Sequence, residues 1–190
     1  MSAGVSGGAG DPRAERTRAA LRAALLAECE RQPLDRVSVS ALARRAGVGR
    51  ATFYLHYEDL RALAVDACGE VVRDAVDALH AWRGLPDPAV PPPALVEFLT
   101  GAGERAALYR SLLTPGGGGP LGELMHQQLG ERSRRERELR GAAHPDVVAA
   151  AVAATFTALL ADWLHGRLPG SAADLAGHSW RLLIALHRAV

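Results

Sequence analysis

The chain has no lysine: all 22 of its basic residues are arginine, set against 21 acidic residues for a net charge of +1. Such a balance gives no global basic surface, so any nucleic-acid contact has to come from a local patch. Aromatics are scarce at 5%. There are two cysteines, Cys29 and Cys68, far apart in sequence. That excludes a disulfide framework and any cysteine zinc pattern, and it leaves two reduced thiols in helical segments. The seven histidines are scattered without metal-ligand spacing, so no metal and no cofactor is expected. No phosphate-binding glycine loop, nucleophile elbow or HExxH pattern occurs, and no catalytic constellation is visible, so the chain does not read as an enzyme. No apolar run was expected to reach the roughly 18–20 residues that cross a bilayer. The opening MSAGVSGGAGDP lacks a basic-then-apolar signal pattern and reads as a disordered arm over 1–11, with a cytoplasmic location as the default.

What is present is helical. Apolar residues recur with a period near 3.6, and no alternating strand pattern appears. The first helix is expected over 12–31, capped by Asp11 with Pro12 in its first turn, and ended by Pro33. A second starts at the N-cap Ser38 and stops near Ala46–Gly47, where glycine supplies the left-handed turn. A third covers 50–56. A fourth, opened by Glu58 and Asp59, runs to about Trp82. The proline-rich GLPDPAVPPP (84–93) then breaks the chain. Further helices are expected over 94–101, 104–113, 121–140, 145–166 and 172–189, the last capped by Ser171.

Residues 38–63, SVSALARRAGVGRATFYLHYEDLRAL, carry the functional signal. Two short helices joined by a glycine turn and followed by a third form a helix-turn-helix pattern, which places its second helix in the major groove. Between Arg36 and Arg50 there are four arginines and no acid, a modest local excess. Leu42, Ala43, Phe53 and Tyr57 are expected inside. Arg50, Ala51, Thr52, Tyr54, Leu55 and His56 are expected around the outer surface of the third helix. Arginine suits guanine O6/N7, alanine or threonine a thymine methyl, and tyrosine or histidine a phosphate. The backbone N–H groups opening the second and fourth helices also suit phosphate oxygens.

The stretch SVxxLAxxAGVxxxTFYxHY, continuing to Leu63, resembles the TetR family of bacterial transcriptional regulators over about Arg13–Leu63. The resemblance implies that Ser38, Thr52, Tyr54 and His56 contact phosphate and that Arg50, Ala51 and Leu55 approach bases. Two positions depart from the family pattern. Gly49 stands where a Ser or Thr cap is usual, and Leu60 where a phosphate-contacting lysine is usual. Arg61 is the neighbouring substitute for that lysine.

The expected architecture is all-α with about nine helices: a helix-turn-helix DNA-binding domain over 12–58 and a helical ligand-binding and dimerisation domain over 59–190. The resemblance implies a variable ligand domain that dimerises through its last two helices. Val148, Val152, Thr155, Leu159 and Trp163 repeat at spacings of 4, 3, 4 and 4. Beside them runs the small-residue row Ala151, Ala154 and Ala158. Leu175, His178, Leu182 and Ala185 face likewise on the final helix. These two stripes form the expected dimer face, a four-helix bundle about a two-fold axis. A ligand pocket is expected near Trp82, Phe98, Tyr109, Leu113, Met125 and His126, for an apolar or weakly polar small molecule. ERSRRERELR (131–140) alternates charge at helical spacing and reads as a solvated face. The function expected is a dimeric, ligand-released repressor on a palindromic duplex operator. The alternative is a helical ligand-binding or interaction protein that has lost DNA binding.

Overall fold

The computed structural model describes residues 11–81 and 87–188. The arm expected before Asp11, the Trp82 position and residues 83–86 lie outside them. Among the described residues there are ten α-helices: α1 Pro12–Cys29, α2 Val39–Arg45, α3 Arg50–His56, α4 Leu60–Ala67, α5 Gly69–Leu79, α6 Pro93–Glu104, α7 Ala106–Leu112, α8 Gly119–Leu139, α9 Pro145–Leu164 and α10 Ala172–Arg188. A 3-10 turn, Leu34–Arg36, follows Pro33.

The local signals set most boundaries. The Asp11 carboxylate accepts from the N–H of Arg13, the Ser38 hydroxyl from Ala41, and the Asp59 carboxylate from Ala62. Each cap satisfies a backbone donor that the helix itself leaves unpaired. Ser171 and Asp174 cap α10 reciprocally, the serine hydroxyl accepting from Asp174 N–H while the carboxylate accepts from Ser171 N–H. One expectation needs correcting. The fourth helix is not one continuous segment; it is interrupted at Cys68 and resumes with Gly69 as α5, which runs to Leu79. Gly69 is a poor helix former, which fits the interruption there.

The buried side chains form one contiguous core from Leu21 to Ile184. Leu21 and Leu25 of α1, Leu42 of α2, Phe53 of α3 and Leu63 of α4 fill its N-terminal end. Below it, α8 packs along α9, α9 against α10, and α5 and α6 against each other. Phe98, Tyr109 and Phe156 meet in the middle, with Phe98 tilted on Phe156 and edge-on to Tyr109, each at 6.4 Å between centroids. Cys29 and Cys68 are free and buried. Burial pushes their thiols up to about 11 and about 12, so both stay protonated and poorly nucleophilic.

Two sequence expectations are modified by the packing. Within 131–140, Arg132–Glu136 and Arg134–Glu138 form the anticipated i,i+4 pairs, but Ser133 and Arg137 turn inward and are buried. And α9 is long and apolar enough to cross a bilayer by length and composition, with mean hydropathy 1.9, contrary to the expectation that no such run exists. Its alanine-rich sequence meets no charge between Asp146 and Asp162. Half of that stretch is buried within the protein, against α8 and α10.

The connection from α7 to α8 depends on an absent side chain. A Cβ at Gly122 would stand 1.9 Å from the Gly117 carbonyl oxygen, a clash with backbone that cannot swing away. Gly130, on the same helix, has only the Ala153 methyl at 3.9 Å. Gly122→Ala is therefore expected to lower stability by about 1–3 kcal/mol. Gly130→Ala should raise it by up to about 1 kcal/mol through helix propensity. Urea denaturation followed by circular dichroism checks both; equal effects would contradict the close approach at Gly122.

Candidate nucleic-acid interface

The geometry of α3 follows from one buried ring. Phe53 is fully buried, worth roughly 1.5–3 kcal/mol relative to exposure, and its position fixes which residues of the seven-residue helix point out. Tyr54 packs edge-on against Phe53 at 5.2 Å, and Tyr57 lies tilted against it at 6.0 Å. Arg50, Ala51, Tyr54 and Leu55 are exposed, while Thr52 and His56 are half-buried at the helix flanks. Leu55 is 82% exposed. Leu55 is thus not a packing residue. The Arg50 guanidinium sits over the Tyr54 ring, 5.7 Å from its centroid, and donates to the Tyr54 hydroxyl at 3.5 Å. This i,i+4 stack holds an arginine on the outer face of α3.

The turn before α3 is built as expected. Gly47 has φ +69°, a conformation that costs a side-chain-bearing residue. The Gly49 cap makes no side-chain hydrogen bond. A Cβ at Gly49 would find only the Thr52 hydroxyl oxygen, at 3.7 Å, so the missing cap is not imposed by space.

Three groups missed by sequence reasoning decide how this module is held. The Asp66 carboxylate on α4 accepts from the Tyr57 hydroxyl and from Arg22 of α1 at 3.0 Å. Arg22 also donates to Glu15 at 2.7 Å. Burial opposes the Asp66 charge, but the hydrogen bonds from Tyr57 and Arg22 outweigh it and hold the carboxyl below its usual range. Burial, aided by the Asp66 contact, pushes the Tyr57 phenol up to about 12. The signal for this cluster is weak in sequence, because its partners are 9 and 44 residues apart.

At the start of α4 the arrangement differs from the expectation. Leu60 is half-buried and packs on the core. Asp59 already occupies the Ala62 N–H, as Ser38 occupies that of Ala41. Arg61, expected beside the DNA-facing set, is exposed but forms an ion pair with Glu123 of α8.

The remaining predicted residues separate into groups. Phe98 and Tyr109 line an open cleft of about 460 Å³ between α5, α6 and α7. Leu113 and Met125 are sealed in the core, and His126 is exposed on α8; none of the three lines that cleft. Trp82 lies outside the described residues. On the expected dimer face, Val148, Val152 and Leu175 are buried within the protomer itself, because α8 and α10 cover that side of α9 and α6 and α9 cover that side of α10. Thr155, Leu159, His178, Leu182 and Ala185 stay at least partly accessible. Trp163 is half-buried, with its indole N–H donating to the Gly170 carbonyl at 3.0 Å.

A short helix-turn-helix with an exposed second helix, carried on a helical body, is the arrangement that helix-turn-helix DNA-binding proteins use. Residues 21–67 match the family model of bacterial regulatory proteins, tetR family. Over that segment, from Leu21 in α1 through the end of α4, the chain is similar to bacterial regulators of the tetR family. Its fold is similar to that of solved structures across nearly the whole length. A TetR transcriptional regulator from Rhodococcus sp. RHA1 is 18% identical with a TM-score of 0.63, covering 95% of this chain and 99% of that one. NalD, the secondary repressor of the MexAB-OprM multidrug efflux pump in Pseudomonas aeruginosa, is 20% identical with a TM-score of 0.54, covering 94% and 97%. The fatty acid degradation regulator FadR from Bacillus halodurans is 15% identical with a TM-score of 0.53, covering 93% and 96%. No curated protein matches the chain.

The Asp66 cluster makes a pH prediction. A carboxyl held below its ordinary value contributes stability that is fully present above the unfolded value, near 3.9. That contribution is lost as pH falls through the folded value. The stability difference between the wild-type protein and Asp66→Asn is expected to be constant near neutrality and to shrink below about pH 4. Thermal melts across pH 3–7 read this directly; a difference that grows on acidification would contradict the cluster.

Proposed function

We propose that the protein is a dimeric repressor that binds a roughly palindromic operator and is released by a small ligand. Residues 12–58 are its DNA-binding unit, and 59–190 its ligand-binding and dimerisation unit. The observation that carries this reading is the outer face of α3, where a stacked arginine–tyrosine pair and an exposed leucine stand on a buried phenylalanine. A leucine this exposed adds little to the core, and on that face it fits a thymine methyl or a sugar edge in the major groove. In this reading Arg50, Ala51 and Leu55 approach bases. Ser38, Thr52, Tyr54 and His56 hold phosphates and fix register. Arg61 joins them only by giving up Glu123.

The uncovered side of α9 and α10 supports the dimer. Val147, Ala154, Leu182 and Ala185 are exposed on two apolar helices at the far side of the core. Such a face is wider than a single core needs. Packed about a two-fold axis, it forms an isologous four-helix interface and sets two α3 helices on one side of a duplex.

Two links support ligand control. The Ser111 hydroxyl on α7 donates to the Cys29 carbonyl at the end of α1 at 2.7 Å, and Arg105 pairs with Glu30 at 2.9 Å. Arg105 also lines the cleft. A ligand that prefers a displaced α6–α7 corner therefore biases α1 and the module it carries. The coupling is reciprocal, so DNA must weaken that ligand's binding by the same factor.

A second reading, a ligand-binding or interaction protein without DNA binding, draws on Asp59 and the Arg61–Glu123 pair, which remove two usual phosphate contacts. Fluorescence anisotropy with a preferred duplex and its base variants decides between them. Tyr54→Phe should weaken binding to all duplexes alike, by about 1 kcal/mol. Arg50→Ala should cost about 1–3 kcal/mol on the preferred site and less on variants, relaxing preference. No binding to any duplex at low salt would favour the second reading.

A further inference from the structure

We infer that the cleft between α5, α6 and α7 is a site for a lipophilic organic cation. This rests on the ligand-responsive reading and adds the chemical class that the ligand takes. The cleft, at about 460 Å³, is the size of a small-molecule site. Asp74 and Asp77 enter it from one face of α5, three residues apart, and Glu97 enters from α6. None of these carboxylates has an ion-pair partner among the described residues. The cleft's arginine, Arg105, is engaged outward by Glu30 at 2.9 Å.

Tyr109 is the independent observation. It lines the same cleft, is only 7% exposed, and its hydroxyl makes no hydrogen bond among the described residues. A nearly buried phenol without a partner is free to hydrogen-bond a bound molecule. Its ring meets Phe98 edge-on at 6.4 Å, so two aromatic rings border the cleft that the carboxylates line. Carboxylates attract a cation at several ångströms and aromatic faces add to that attraction, while the rings shelter an apolar body. An anionic ligand meets like charge from three groups and has to compete with Glu30 for Arg105. The sequence expectation of an apolar or weakly polar ligand is sharpened to an apolar body with positive charge.

Isothermal titration calorimetry on the full chain tests this with two ions of the same shape and opposite charge, tetraphenylphosphonium and tetraphenylborate. The cation is expected to bind at one site per chain, more weakly as salt is raised, and the anion not to bind. Asp77→Asn and Glu97→Gln should each weaken the cation at least about fivefold. Glu138→Gln, a carboxylate on α8 away from the cleft, should leave it unchanged. Equal binding of both ions, or cation affinity unmoved by the paired substitution D77N/E97Q, would overturn the assignment. The wild-type salt dependence decides the matter even where a variant fails to fold. A parallel duplex titration separates the two claims. Cation binding in the cleft without any change in duplex affinity keeps the site and sinks the ligand-release reading. Intact duplex binding with no cation bound sinks the site alone.

Discussion

The carboxylate of Asp66 receives the Tyr57 hydroxyl from the end of the helix-turn-helix and the Arg22 guanidinium from α1, and the pose of the DNA-facing module depends on that meeting. Apolar packing alone, through Leu21, Leu42, Phe53 and Leu63, holds three short helices together but leaves them able to slide. A charged acceptor with two directional donors fixes the angle at which α3 leaves α4, and hydrogen bonds to a charged group are stronger than neutral ones. The same carboxylate sits on the helix that leads to α5 and the cleft. The module is thus held from two directions: by α4 through Asp66, and by α7 through Ser111 and Arg105 against the end of α1. The α6–α7 corner and the end of α1 are thus joined by a hydrogen bond and an ion pair.

Electrostatics divides the surface into regions with separate uses. The chain is nearly neutral overall, so long-range attraction to DNA is modest and selectivity has to come from placement. Arg50 is kept outward by Tyr54, whereas Arg61 is held by Glu123. The acids Asp74, Asp77 and Glu97 gather on another face and are left without basic partners among the described residues. In α9 the absence of charge between Asp146 and Asp162 leaves a helix that is apolar all round yet only half covered.

The helices and the exposed face of α3 were legible in the sequence because their signals are local. Ser38, Gly47 and the spacing of Leu42, Phe53 and Tyr57 act within a turn or two, and α3 falls where these residues put it. Longer-range features were not legible. Arg61 finds Glu123 across 62 positions and Tyr57 finds Asp66 only once α4 folds back. The periodicity that marked Val148, Val152 and Leu175 as a dimer face was real, but it reported burial of any kind; α8 and α10 claim those residues first. Leu113 and Met125, expected near a ligand, are fully buried and belong to the core. The break between α4 and α5 rests on Cys68 and Gly69, which leave the apolar period on either side undisturbed and so give no periodicity signal.

The proposed repressor needs two copies of α3 to read one duplex together. Selection of bound DNA from a random duplex pool by the full-length protein tests it most directly. The account predicts enrichment of an inverted repeat whose half-sites lie on one face of the duplex, separated by roughly a helical turn or a multiple of it. It also predicts loss of that preference with Arg50→Ala. Enrichment of a single asymmetric site, or no enrichment at all, would contradict it.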